Sequence, residues 1–261
     1  MKKYLRLIYM DFLLAKEFVL AFFAQIIYLP ISSIVVYFVW SKLYAAHPVL
    51  EQISGMSLKS IICYYVVANI ILFITGKFWY LNYTIWSDIN KGLLSIYLAR
   101  PIDYISYRFF REAGSLIVNT VLGTISIIAI NWIFNLCSIS IVNILIFLLS
   151  IAERIILIFF FQLLVVTITF WTDKIFGLRD LLFRIVQFLG GQVLPLAFFS
   201  SWAKSILDFL PFKFIYNAPA MAFIATDSSG FLHNQICAVF WIAVGYLFIR
   251  SFFNYGLKRY V

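Results

Sequence analysis

Side chains able to do chemistry are few in this sequence, and they are scattered. His47 and His233 are its two histidines, and no H-E-x-x-H or G-x-S-x-G motif sets either beside a metal or a nucleophile. Asp88 and Asp103 share one segment without a pattern that makes them an acid–base pair. Cys63, Cys137 and Cys237 are isolated, with a spacing that suits neither zinc nor a disulfide framework, and read as small buried hydrophobes. No G-x-x-x-x-G-K-[ST] loop offers a cradle for nucleotide phosphates. What remains is Lys77, Glu153 and Arg154, each inside an apolar stretch. Intramembrane charges of this kind often mark a pathway. Glu153 and Arg154 are adjacent, so on a helix they point about 100° apart and cannot pair face to face. They read either as boundary or subunit-contact residues at the outer end of a span, or as a polar pathway. Lys77 lies near the inner end of its span, where snorkelling to the surface is expected.

The elements that position these groups follow from composition. Of 261 residues, 64% are hydrophobic and only 12% charged, too little charge to cover a soluble domain of this length. The expectation is one all-α membrane domain over 1–261, with no room for a separate soluble catalytic domain. The net charge of +9 sits at the edges of apolar spans. That placement fits anionic lipid headgroups rather than nucleic acid. Six segments approach the roughly 20 apolar residues that cross the bilayer core: about 18–41, 60–82, 113–134, 152–171, 184–200 and 234–251. The fifth is the weakest, being short and broken by Gly190, Gly191 and Pro195. The first is too long for a cleaved signal and lacks a small-x-small site.

Fourteen Lys and Arg fall on the side of the termini and the loops 83–112 and 172–184, against four on the other. Both termini are therefore expected in the cytoplasm. Residues 2–17 form an amphipathic preface, with Lys2, Lys3, Arg6, Lys16 and Glu17 within about a 140° arc and only Asp11 outside it. Such a helix lies in the headgroup plane.

Two segments carry more information than the spans. In WSDINKGLLSIYLARP (86–101), Ile89, Leu93, Ile96 and Tyr97 fall within about a 100° helical arc, while Asp88, Lys91 and Ser95 group elsewhere. Pro101 ends that helix by disfavouring helical geometry at Arg100. A partner pressing on its exposed face would tilt both attached spans. The stretch 184–233 contains FLGGQVLPL, where Gly190, Gly191, Gln192 and Pro195 allow close approach and a kink. LPFKFIYNAP follows, with Pro211 and Pro219, between short apolar pieces around Trp202–Phe209 and Ala218–Ala225. Each piece is too short to cross, so re-entrant or interfacial helices on the outer face are expected.

In order and topology these segments resemble the permease subunits of type-2 ABC exporters, in the small six-span branch without a fused ATPase. The resemblance rests on Lys91 to Ile102, Gly190 to Leu196 and Leu210 to Pro219, and covers nearly the whole chain. It implies a bacterial plasma-membrane half-transporter that pairs with a second permease, identical or sister. Two copies of a separate ATPase would carry ATP and Mg²⁺, leaving no cofactor on this chain. The segment 86–101 would be the coupling helix docking on that ATPase, through Asp88, Ile89, Lys91, Leu93, Leu94, Ile96, Tyr97 and Arg100. The segment after Pro195 would form an external hairpin. Glu153 and Arg154 lie outside the resembling motifs. The competing reading is a secondary transporter or channel, for which Glu153, Arg154 and Lys77 are a thin set.

Overall fold

The computed structural model describes residues 2–17, 19–137, 140–172, 174–224 and 230–260, with side chains at all of these except 2 and 15–26. Among them, every regular element is helical: α1 (Lys2–Glu17), α2 (Val19–Ala46), α3 (Val49–Ser54), α4 (Leu58–Thr75), α5 (Leu81–Asn90), α6 (Leu93–Leu98), α7 (Tyr104–Phe134), α8 (Ile141–Thr167), α9 (Phe176–Leu189), α10 (Ser201–Phe209), α11 (Asn217–Ile224) and α12 (Phe231–Tyr260). A 3-10 turn over 76–80 carries α4 into α5, and another over 168–170 extends α8. Side-chain oxygens start three of the long helices. Ser57 accepts from the Ser60 amide, Asp103 from Ser106 and Ser140 from Asn143, each satisfying a first-turn donor.

Five stretches are long and apolar enough to cross a membrane: Ile27–Ala46, Leu58–Asn90, Tyr104–Phe134, Ile141–Phe170 and Phe231–Tyr260. The expected fifth span, 184–200, is not one helix. α9 has 14 residues, about 21 Å of rise, and stops where Gly191 takes φ +92° and Pro195 follows. The two short pieces expected beyond it appear as α10 and α11, while Ala225 lies outside the described residues.

α4 is the hub. It is buried on every face from Ile61 to Ile71 except at Asn69, and packs against α2, α7 and α11. A helix that is apolar all round belongs in such a position. α8 packs on α12, α11 and α5, whereas α2 and α12 leave most of their apolar surface open.

α1 does more than lie at an interface. Asp11, the exception on its polar arc, is buried and accepts Lys77 Nζ at 2.6 Å and the Ser115 amide at 2.7 Å. Glu112 lies 2.9 Å from the same ammonium. Lys77 therefore does not snorkel free; it ties the end of α4 to α1 and α7. The polar arc itself rests partly on Lys2, Lys16 and Glu17, whose side chains lie outside the described set.

The crossing of α1 over α7 needs Gly114, since a Cβ there would meet the Ile8 carbonyl and the Phe12 amide. Gly114→Leu should lift α1 off at a cost of about 1–3 kcal/mol. Faster proteolysis of the N-terminal helix in purified protein would register it, and wild-type protease resistance would contradict the crossing.

The cysteine expectation is corrected. Cys63, near the start of α4, is disulfide-bonded to Cys137, just past the end of α7, with Cα atoms 6.7 Å apart. A separation of 74 residues carries no local pattern, and only the antiparallel arrangement of α4 and α7 brings the pair together.

Candidate functional site

The segment 81–103 is a hairpin of two helices rather than the single helix expected over 86–100. α5 ends at Asn90, and Gly92 adopts φ +72°, a left-handed turn that favours glycine, before α6 begins. The break re-sorts the faces. Asp88, Ile89 and Leu94 are buried, while Lys91, Leu93, Ile96 and Arg100 are exposed, Ile96 by 53%. Asp88 is thus not a surface contact. It is ion-paired with Arg108 of α7, and the Tyr104 hydroxyl donates to the same carboxylate at 2.5 Å. Arg108 Nε in turn donates to the Tyr104 oxygen at 3.2 Å. The guanidinium carbon of Arg108 stands 5.2 Å from the Tyr97 ring and 5.6 Å from that of Tyr107. Burial and the adjacent Tyr107 hydroxyl hold the Tyr97 phenol above its ordinary pKa, so it presents a neutral face to the arginines. The hairpin is thereby tied to α7.

The opposite end of the bundle holds the second hinge. The Gly190 carbonyl accepts the Asn217 amide at 2.9 Å. A Cβ on Gly190 would meet the Val186 and Phe212 carbonyls, so two backbones touch there. The Tyr64 hydroxyl donates to the Gly191 carbonyl at 2.7 Å, and its oxygen is 3.2 Å from Asn217 Oδ1. Tyr65 donates to the Val193 carbonyl at 2.9 Å. Trp40 stacks on Tyr65 and on Phe198, at 5.3 and 5.6 Å between centroids. Pro195, Pro211 and Pro219 are buried around this junction, and the Gln192 side-chain oxygen is enclosed without a partner. The glycines and prolines were visible in the sequence; Tyr64, Tyr65 and Trp40 were not, because nothing local marks a tyrosine as a latch.

Between the hinges lies a column of underused polar groups. α8 starts at Ile141 because of the Ser140 cap, so Glu153 and Arg154 sit 12 and 13 residues in, about 18–20 Å from its end. They lie near the middle of this helix. They face different ways, as their adjacency requires. The Gln235 amide of α12 donates to the half-buried Glu153 carboxylate. Arg154 is fully buried, with its guanidinium carbon 4.4 Å from the centroid of the Tyr216 ring. Among the described residues, none of its three nitrogens reaches a carboxylate, and its polar neighbour is the Tyr216 hydroxyl. The Tyr216 hydroxyl and the Trp79 indole nitrogen are buried beside each other, so Tyr216 stands between Trp79 and Arg154.

Trp79 is also the inner wall of a cavity of about 450 Å³. Leu72, Gly76 and Tyr80 line it from the α4 side, and Arg179, Asp180, Phe183 and Arg184 from α9. Arg179 pairs with Asp180 at 2.8 Å, and Arg184 donates to Gln187 Oε1 at 3.1 Å.

No group of His, Cys, Asp or Glu among the described residues could hold a metal. The arrangement comprises two tied junctions at opposite ends, buried polar groups between them and a cavity, in an all-helical body with five stretches apolar enough to cross a membrane. Comparison with curated proteins and with solved structures finds no match. A family model described as ABC-2 family transporter protein matches residues 30–261. That span contains both hinges, the column and the cavity, and it shows that the chain belongs to the ABC-2 family of membrane transporters.

Proposed function

We propose that this chain is the permease half of an ATP-driven exporter. Two permeases, identical or sister, form the path, and two copies of a separate ATPase dock on their cytoplasmic hairpins. ATP and Mg²⁺ bind on those partners. Family membership implies an ABC ATPase partner in general. The observation that carries the docking assignment is the mounting of α5 and α6, where exposed Leu93 and Ile96 sit on a hairpin locked to α7 through Asp88, Arg108 and Tyr104. In this reading the termini and the hairpin face the cytoplasm of a bacterial cell, in keeping with the Lys and Arg distribution. The segment 190–224 is the outer gate, and α9 with the chain beyond Gly190 makes the sixth crossing. Glu153 and Arg154 face different neighbours and do not share one ion cavity, which counts against a gradient-driven carrier.

The docking surface is testable by paired substitution. Leu93→Asp with Ile96→Asp should reduce capture of the ATPase by roughly tenfold or more, as expected for two apolar anchors at an interface centre. Lys91→Glu should weaken capture less, as a rim charge. Both variants should still insert and purify. ATPase capture and ATP-dependent transport at wild-type levels in the double variant would remove the hairpin as the docking site.

A further inference from the structure

The cavity between α4 and α9, together with the column behind it, selects a kind of cargo. Its walls are amphipathic in a definite order. Leu72, Trp79 and Phe183 supply the apolar part, with the Trp79 and Phe183 rings 4.6 Å apart between centroids. Arg179 and Arg184 supply two positive charges, of which Asp180 neutralises one. Arg184 has one hydrogen bond among the described residues, to Gln187, which leaves further N–H donors of its fork for a ligand.

Outside the lining of the cavity, the Tyr216 hydroxyl neighbours Trp79, and the Arg154 guanidinium stands over the Tyr216 ring. A buried guanidinium normally faces a carboxylate. Here none does, and the one carboxylate beside it in sequence, Glu153, turns to α12. The rim, with two guanidiniums against one carboxylate, is therefore electropositive. A cationic cargo would meet repulsion there.

From this we infer that the cavity binds an amphiphile with an anionic headgroup, a phosphate or a carboxylate. The headgroup lies against Arg184 and Arg179, and the apolar chain lies along Trp79 and Phe183. The inference rests on the permease reading only for the statement that this ligand is cargo; binding itself does not need the ATPase.

The test uses the full chain in phosphatidylcholine nanodiscs, with oleoyl lysophosphatidic acid and oleoyl lysophosphatidylcholine as probes of equal chain length. The anionic probe should bind roughly tenfold tighter or better, as charge-assisted bonds to a guanidinium fork imply. The preference should fall to within about threefold in the Arg179→Gln/Arg184→Gln variant, with both probes losing affinity in Trp79→Ala. Equal binding of the two probes, or a preference that survives the double arginine variant, would overturn the inference. Inorganic phosphate at millimolar concentration should not displace the anionic probe; full displacement would mean a free-anion site and would overturn the amphiphile assignment. ATPase capture is scored on the same preparations. Capture without lipid preference sinks this inference alone, and lipid preference without capture sinks the permease reading while leaving the site.

Discussion

Arg108→Ala should destabilise the protein by about 3–5 kcal/mol, the range for removing one partner of a buried ion pair. Both side chains are nearly inaccessible, at 5% and 6% of their free surface. The change would leave the Asp88 carboxylate inside with only the Tyr104 hydroxyl to support it. The neutral double variant Asp88→Asn/Arg108→Gln should recover much of the loss, because no uncompensated charge remains. Thermal melting of the purified protein measures both. A single variant that melts with wild type, or a double variant no better than the single one, would mean that the pair does not hold the hairpin. ATP-dependent transport should fall more steeply in Arg108→Ala than ATPase capture does. Leu93 and Ile96, the proposed docking residues, should stay exposed while their mount on α7 loosens.

The second large effect is expected at the other hinge. Gly191 has φ +92°, and a Cβ there would stand 2.5 Å from the Tyr64 hydroxyl oxygen. Gly191→Val thus combines a disfavoured backbone with loss of the latch, and should cost about 2–4 kcal/mol. Tyr64→Phe removes the donor alone, leaves the ring in place, and should cost about 1–2 kcal/mol. Hydrogen exchange over 190–224 should quicken in both variants, and more in Gly191→Val. Equal effects from the two would show that the backbone at 191 carries no strain.

Much of this architecture was readable before the fold was known. Long apolar runs marked five of the six expected spans, Pro101 the end of the hairpin, and Gly190, Gly191 and Pro195 the outer break. Two kinds of information were missing. One was which way a side chain turns once a helix breaks: a single helix through 86–100 puts Asp88 on a polar face, whereas the turn at Gly92 lets α5 bury it. The other was partnership across the fold. Tyr64 finds Gly191, Cys63 finds Cys137, and Lys77 finds Asp11, at separations where no periodicity helps. Asp11 did leave a trace, since it alone broke the polar arc of its helix. A lone charge on the wrong face of an amphipathic helix is a cue to look for a buried counter-charge, and Lys77 is that charge.

Arg154 also bears on how the chain enters the bilayer. An arginine within an apolar helix opposes its insertion, by up to about 2.5–3.5 kcal/mol at the bilayer centre. Its aromatic neighbour Tyr216 belongs to a part of the chain synthesised only after α9 and α10 are complete. The chain of α8 is therefore complete before that neighbour is made. The helix carrying that load is the most apolar of the five, with mean hydropathy 2.6 against 2.0 for the next. The excess of Ile, Leu and Phe around Arg154 is thus an insertion signal as well as a packing surface.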